Sequence, residues 1–211
     1  MKKMYEYDEA NVLGSTQDLE SRLGEVSKRA LVKEIDHVSP LYAEYIKASP
    51  FVVLASVGPE GVDTSPRGDA PGFVELVSPK KLMLPERRGN NRADTLRNIV
   101  RDPRVSLLFL IPGIGETLRV IGNARVIADE ALCAQFTVQN KAANFVIEVD
   151  VQAVYFQCQK AFARSKLWDS EAHVPRGQLP TAGQLIKAFD ADFDAKTYDE
   201  GYAEYMKETM Y

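Results

Sequence analysis

The sequence predicts a mainly β fold with helices, arranged as an antiparallel barrel in a single domain. At least six short apolar or β-branched runs follow one another closely between residues 51 and 156 of the 211-residue chain. Helical patterns lie before, between and after these runs, but they do not alternate regularly with them, as a parallel doubly wound sheet requires. No strand-like run is followed by either of the glycine-rich motifs that form nucleotide-binding loops.

The first 49 residues are predicted to form a helical extension. Apolar residues recur there at helical spacing, and Ser39 followed by Pro40 is typical of an N-cap and a first helical turn. The residues expected to form the buried face of that helix are Leu41, Tyr42, Tyr45 and Ile46.

The predicted strands cover residues 51–57, 62–67, 72–77, 82–85, 105–111, 116–127, 144–149 and 153–156. The first four are expected to form a meander of short antiparallel strands. Pro66 has no backbone N–H, so its strand is expected at an edge or at a strand end. A β-bulge is expected near Gly122 in the long strand.

Three further helices are predicted, at residues 93–101, 130–139 and 181–189. The first begins after Asn90 and Asn91, either of which is a suitable N-cap. Its inward face is expected to carry Leu96, Ile99 and Val100. The inward face of the last helix is expected to carry Leu185, Ile186 and Phe189.

Composition excludes several classes of protein. The 26 basic and 30 acidic residues give a net charge of −4, which argues mildly against a general nucleic-acid binder. The longest apolar run, residues 107–112, is too short to span a bilayer. The first eight residues contain no apolar signal-peptide segment, so a cytoplasmic location is expected.

The cysteine and histidine pattern gives no support for a metal site. Cys133 and Cys158 do not form a C-x-x-C pair, and His37 and His173 lie far from each other and from both cysteines. Both cysteines are expected to be small buried residues in a reducing compartment.

A local concentration of arginine is the most informative feature of the sequence. Arg87, Arg88 and Arg92 come just before the helix predicted at residues 93–101, whose first turn offers free N–H groups. Guanidinium groups at a helix start form a good phosphate site, and Arg67, from an earlier strand, is expected to point at the same anion. Charge alone also fits an ordinary solvated basic surface.

Five segments in order resemble one known family. Residues 65–69, 89–99, 102–105 and 116–122 are similar in sequence and order to the pyridoxamine 5′-phosphate oxidase-like FMN-binding family. Residues 160–168 resemble a segment found in one branch of it. The resemblance covers about residues 51–168, which is most of the chain.

The resemblance implies a six-stranded antiparallel split β-barrel, with two barrels forming a homodimer and two FMN molecules in clefts at the interface. It implies helical residues 1–49, a barrel core at residues 50–160, and residues 161–211 as a C-terminal extension that contributes to the dimer. The residues that match cofactor-binding positions are Ser65, Pro66, Arg67, Gly68, Asn90, Asn91, Arg92, Thr117 and Arg119, with Lys166 and Trp168 reaching the flavin from the partner subunit.

The sequence also departs from the pyridoxamine 5′-phosphate oxidases themselves. Those enzymes end in a strand with an Arg-x-His-Asp-Arg-like pattern, and residues 203–211 contain no such pattern. Oxidation of pyridoxamine phosphate is therefore not expected, and no catalytic side chain is assigned. The prediction is an FMN-dependent oxidoreductase acting on an unidentified small molecule.

Other interpretations of the same pattern stay open. One is a non-catalytic flavin-binding carrier, sensor or storage module, and another is a dimeric scaffold without a cofactor. Similar barrels also accommodate deazaflavin or heme in place of FMN. The sequence does not identify the substrate, the electron acceptor or the pathway.

Overall fold

A computed structural model describes residues 6–87, 89 and 92–211. The chain divides into two compact units, Met1–Glu34 and Ile35–Tyr211. The described part of the first unit contains a 3₁₀ helix, Glu9–Asn11, followed by helices α1, Thr16–Leu23, and α2, Lys28–Val32. Helix α1 begins where the hydroxyl of Ser15 accepts a hydrogen bond from the backbone N–H of Asp18 at 3.1 Å.

The second unit contains the strands and the remaining helices. Its strands are β1 Phe51–Gly58, β2 Gly61–Gly68, β3 Glu75–Ser78, β4 Lys81–Glu86, β5 Arg104–Leu110, β6 Thr117–Ile127 and β7 Phe145–Gln157. Its α-helices are α3 Pro40–Ala48, α4 Asp94–Arg101, α5 Glu130–Gln135, α6 Lys160–Ser165, α7 Ala182–Lys187 and α8 Ala195–Thr209. Two 3₁₀ helices, Ser170–Ala172 and Arg176–Gln178, lie between α6 and α7.

The strands of the described chain form one antiparallel sheet in the order β2-β1-β5-β6-β7-β4-β3. The predicted mainly β fold with helices is therefore confirmed, with seven strands where six were expected. The predicted meander is wrong: β1 and β2 form one hairpin, β3 and β4 form another, and β4 pairs with β7. Pro66 does lie in an edge strand, since β2 is at one end of the sheet.

A β-bulge interrupts the pairing of β6 with β7. The register of this pairing shifts between Ile121 and Gly122, at the glycine near which a bulge was expected. The extra residue is Gln152 of β7. A Cβ at position 122 would lie 2.3 Å from the backbone oxygen of Asp150, so only glycine fits without a shift. The bulge lets β7 continue as one strand, where two were predicted.

The sheet curls, so that its two halves approach each other without pairing. Strands β2 and β4 are not neighbours in the sheet, yet Nε of Arg67 lies 3.1 Å from Oε2 of Glu86. No backbone pairing between β2 and β4 is found in the described residues. This is the arrangement of a barrel that is open along one side.

The core fills the inside of this curled sheet. Alternate residues of β1 and β5 are buried, among them Val52, Leu54, Leu107 and Phe109, because successive side chains of a strand point to opposite faces. Helix α3 adds Ile46, which is fully buried. The hydroxyl of Ser39 accepts a hydrogen bond from the Tyr42 N–H at the start of α3, which confirms the predicted cap.

Several predicted inward residues are exposed instead. Leu41 is 78% exposed, since it lies about 140° around α3 from Ile46. Val100 is 76% exposed, because α4 buries the face that carries Thr95, Asn98 and Ile99.

Helix α7 also turns its apolar residues outward. Leu185, Ile186 and Phe189 are all exposed, and the buried residue is Gly183, whose backbone N–H donates to Oδ1 of Asp199 at 2.9 Å. The contact with α8 is therefore made through a glycine and a carboxylate. Residues 136–139 do not continue α5 as expected, and helix α8 was not predicted.

Of the two cysteines, Cys133 is buried as predicted, but Cys158 is exposed just after the end of β7. The helices in the described ranges all lack the length and apolar character needed to cross a membrane.

Candidate functional site

A cleft opens where β2, the end of β4 and the start of α4 meet. Its volume is about 290 Å³. We call it the arginine cleft and define it by Ser65, Arg67, Glu86, Arg87, Arg92 and Thr95, all of which line it. The curl of the sheet creates this cleft, because it brings β2 and β4 together from distant positions in the strand order.

The start of α4 faces the arginine cleft. The N-cap is Ala93, in the left-handed conformation with φ 51°, and its side chain cannot cap the helix. Residues 93–96 line the cleft, so the first turn presents its backbone N–H end to it. Asn90 and Asn91, the predicted caps and cofactor residues, lie outside the described residues, as does Arg88.

Each described arginine of the cleft lies beside a carboxylate. Arg92 pairs with Asp94, Arg67 with Glu86, and Nε of Arg87 lies 3.1 Å from Oδ2 of Asp69. An entering anion must therefore compete with a carboxylate for each guanidinium. The competition at Arg92 costs little because its side chain is 78% exposed and the pair is strongly solvated.

Arg67 and Glu86 form the most unusual pair. Nε of Arg67 and Oε2 of Glu86 are both buried, and among the described residues neither makes a hydrogen bond of normal geometry. They still attract each other as an ion pair at 3.1 Å. Burial raises the pKa of the Glu86 carboxyl, and the nearby charge of Arg67 offsets part of that rise. Such poorly satisfied buried groups are typical of a site built for a ligand.

A second cavity lies on the other side of the wall formed by Arg67, Glu86 and Arg87. Its volume is about 460 Å³. We call it the Tyr211 pocket; besides the wall, it is lined by Pro66, Gly68, Asp69, Phe73, Pro85, Gly89, Met210 and Tyr211.

Asp69 connects the polar groups of the Tyr211 pocket. Its Oδ2 accepts from Nε of Arg87, and its Oδ1 accepts from the hydroxyl of Tyr211 at 3.0 Å. Arg87 is held further by a bond from Nη1 to the backbone oxygen of Phe136 at 2.5 Å. Sequence reasoning did not assign Asp69 or Tyr211 to the site. Asp69 ends the family-like segment 65–69, but Tyr211, 142 residues away, lies in none of these segments.

Some of the predicted cofactor residues line the arginine cleft or the Tyr211 pocket, and others line neither. Ser65, Arg67 and Arg92 line the arginine cleft, while Pro66, Arg67 and Gly68 line the Tyr211 pocket. The remaining predicted residues, Thr117, Arg119, Lys166 and Trp168, are not among the described residues that line either cavity.

Each of these remaining residues has a place in the fold. Thr117 is buried at the start of β6, and Nη1 of Arg119 donates to the hydroxyl of Tyr155 at 3.1 Å. Lys166 ends α6 with φ 53°. Nε1 of Trp168 donates to the backbone oxygen of Ile114 at 2.8 Å, and its ring stacks on Phe162.

The sequence matches one known family. The sequence model of the pyridoxamine 5′-phosphate oxidase family matches residues 38–158. No curated protein matches the sequence.

Solved structures similar to the fold share little sequence with it. HupZ from Group A Streptococcus is 15% identical, with 56% of this chain and 91% of that chain covered and a TM-score of 0.46. A putative pyridoxamine 5′-phosphate oxidase from Lactobacillus delbrueckii is 20% identical, with 57% of this chain and 99% of that chain covered and a TM-score of 0.44. General Stress Protein 26 from Bacillus anthracis is 16% identical, with 54% of this chain and 88% of that chain covered and a TM-score of 0.42.

Proposed function

The chain belongs to the pyridoxamine 5′-phosphate oxidase family, and we propose that it binds FMN in the arginine cleft and acts as an FMN-dependent oxidoreductase on a small molecule. The matched residues, 38–158, include all seven strands and α4. Proteins of this family commonly bind FMN. The observation that carries the proposal is the convergence of Arg67, Arg92 and the first turn of α4 on one cleft.

The residues of the arginine cleft fit a phosphate group. The guanidinium groups of Arg67 and Arg92 offer charged donors, and the start of α4 offers backbone N–H groups. The hydroxyl of Ser65 lies on the same wall, where it already accepts from Nη1 of Arg67 at 2.7 Å.

Bound FMN would supply the electron chemistry, by accepting a hydride from a reduced donor and passing the electrons on. The side chains of the arginine cleft would hold its phosphate group. Burial raises the pKa of the Glu86 carboxyl, although the charge of Arg67 offsets part of that rise. We assign no nucleophile and do not propose oxidation of pyridoxamine phosphate.

Other members of this family are typically dimeric, and we propose a homodimer here. In the dimer, Lys166 and Trp168 of one protomer approach the flavin bound mainly by its partner. Thr117 and Arg119 of β6 complete the proposed contact set, together with Asn90 and Asn91. The reaction partner is a small molecule.

Titration of the ligand-free protein with FMN tests this proposal. Arg92→Ala is expected to weaken FMN binding by about 1.5–3 kcal/mol, or about 10- to 100-fold, the scale of a charge-assisted hydrogen bond. Arg104→Ala is the matched control, because Arg104 pairs with Asp102 and does not line the cleft. Equal FMN affinities for wild type and Arg92→Ala would place the phosphate elsewhere.

Turnover is tested separately by stopped-flow reduction of the FMN complex with NADH and NADPH. Bleaching of the flavin absorbance, followed by reoxidation with an added acceptor, is the expected result. A stable FMN complex that no donor reduces would identify a flavin carrier or storage protein instead.

A further inference from the structure

The Tyr211 pocket and the arginine cleft are adjoining spaces. Arg67, Glu86, Arg87 and Gly89 line both of them. A molecule that reacts with a cofactor must reach it from a neighbouring space, and the Tyr211 pocket is such a space beside the proposed FMN site. At about 460 Å³ it is large enough for a small organic molecule.

The pocket combines apolar walls with a fixed polar end. Phe73 and Pro85 supply the apolar walls. Asp69 and Arg87 supply the polar end, and only 5% of the Asp69 side chain is exposed. Because an ionised carboxylate only accepts hydrogen bonds, Asp69 selects for a ligand that carries a donor. Most small-molecule sites have this composition, with apolar surfaces and a few placed polar groups.

The side chain of Tyr211 lines this pocket and covers its polar end. Its hydroxyl donates to Oδ1 of Asp69 at 3.0 Å, and that hydrogen bond, with burial, raises the pKa of the phenol. The guanidinium carbon of Arg87 lies 5.7 Å from the centre of its ring, within the range of a cation–π interaction. The contacts show which chemistry the pocket accepts: a flat ring over Arg87 and a donor on Asp69.

Among the residues that the structure describes, few hold Tyr211 in place. Besides the bond to Asp69 and the contact with Arg87, its backbone oxygen accepts from Nζ of Lys141 at 2.5 Å. The neighbouring residue Met210 is 51% exposed, so Tyr211 can leave the pocket without disturbing the core.

We propose that the Tyr211 pocket binds a planar aromatic molecule carrying a hydroxyl or N–H donor, and that Tyr211 covers Asp69 and Arg87 at the polar end of the pocket until this ligand displaces it. Such a ligand donates to Asp69 and stacks on Arg87, as the phenol of Tyr211 does. An aromatic molecule without a donor leaves Oδ1 of Asp69 with only the backbone N–H of Ala70, at 2.8 Å, and is therefore expected to bind more weakly. That the ligand is also the substrate rests on the proposed FMN binding in the adjoining cleft.

The test uses p-cresol, which reproduces the tyrosine side chain, on the full chain without FMN. Tyr211→Ala uncovers Asp69 and Arg87, so p-cresol is expected to bind this variant about tenfold or more tightly than wild type, measured by calorimetry or ligand-observed NMR. Toluene, which lacks the hydroxyl, is expected to bind the variant at least about tenfold more weakly than p-cresol. Adding Asp69→Asn to Tyr211→Ala is expected to remove most of this preference for p-cresol.

Two further variants are compared with Tyr211→Ala. Tyr205→Ala removes an exposed tyrosine of α8 and is expected to bind p-cresol like wild type. Tyr211→Phe keeps the ring but loses the bond to Asp69, so it is expected to bind p-cresol between wild type and Tyr211→Ala; circular dichroism checks the fold of each variant.

Equal p-cresol affinities for wild type, Tyr211→Phe and Tyr211→Ala would overturn the proposal, and so would equal affinities for p-cresol and toluene. FMN binding is measured on the same samples in a separate titration. If p-cresol binds as expected and FMN does not, the aromatic site stands and the proposed flavin function fails; the reverse result rejects the aromatic site alone.

Discussion

Glu86 stands between the two cavities and competes with any anion for Arg67. Its carboxylate lies 3.1 Å from Nε of Arg67, and burial raises its pKa. Glu86→Gln removes the competing charge, so FMN is expected to bind this variant several-fold more tightly than wild type. Fluorescence titration with FMN measures the effect, and Glu75→Gln, in the short edge strand β3, is the control. Weaker FMN binding by Glu86→Gln would show that the carboxylate helps to hold the ligand.

At the scale of single residues, sequence predicted the basic half of the site and missed the acidic half. Arg67 and Arg92 were recognisable because each lies in a local motif. The carboxylate neighbour of Arg67, Glu86, was not, because the curl of the sheet sets that contact. Arg87 and Asp69 are 18 residues apart, and no sequence pattern indicates that they meet.

The bulge in β7 opposite Gly122 of β6 predicts a cost for adding one methyl group at that glycine. A Cβ at Gly122 would meet the Asp150 backbone oxygen at 2.3 Å, so Gly122→Ala is expected to lower the free energy of unfolding by about 1–3 kcal/mol. Gly177→Ala is the control, because a Cβ added there would have no described atom within 4 Å. Urea denaturation measures the free energy of unfolding of both variants. A value for Gly122→Ala equal to that of wild type would mean that the strand relaxes freely around the bulge.

Three neighbouring strands share one buried carboxylate. Glu148 of β7 accepts from Nε of Arg125 in β6 at 2.7 Å and lies 2.9 Å from Nζ of Lys81 in β4. Burial by itself would raise the pKa of Glu148, but the hydrogen bonds from Lys81 and Arg125 lower it overall. A lowered pKa means that the carboxylate stabilises the fold above the ordinary pKa of 4.5, and that this contribution is lost as the pH falls through the folded value.

Glu148→Gln is therefore expected to be less stable than wild type by about 2 kcal/mol at pH 7, and the difference is expected to shrink below pH 4.5. Urea denaturation across this range measures it. Glu44→Gln, which alters an exposed pair with Lys47, serves as the control. A difference in the free energy of unfolding between wild type and Glu148→Gln that stays the same at every pH would contradict the proposed link between the Glu148 pKa and stability.

At the scale of elements, sequence patterns predicted where the strands lie better than they predicted which strands pair. The alternation of buried residues in β1 and the apolar run of β5 were clear locally. The pairing of β4 with β7 was not, because it joins distant parts of the chain. Helix α7 was misread because its apolar residues face outward and a glycine makes the contact with α8.

For the whole molecule, the proposed dimer predicts a measurable change of mass. The segment after β7 leaves Leu167, Val174 and Leu179 exposed, although Trp168 is anchored to Ile114. The chain is expected to sediment as a dimer, and Leu167→Glu is expected to shift it toward monomer. Val12→Glu changes an exposed apolar residue of the first unit and is expected to leave the dimer intact. A wild-type monomer in analytical ultracentrifugation would contradict the proposal.

The fold class of the whole molecule was predictable from the spacing of its strands and from the order of its family motifs. The docking of Tyr211 beside Arg87 was not, because residues 203–211 carry no apolar periodicity or motif that points to the barrel. Long-range contacts of this kind depend on the finished fold.

The central claim is that the arginine cleft binds the phosphate of FMN, and a paired titration tests it most directly. The ligand-free wild-type protein is titrated with FMN and with riboflavin, which differ only in the phosphate, while flavin fluorescence is followed. FMN is expected to bind at least about tenfold more tightly, given two charge-assisted contacts. Equal affinities for the two flavins, or no binding of either, would contradict it.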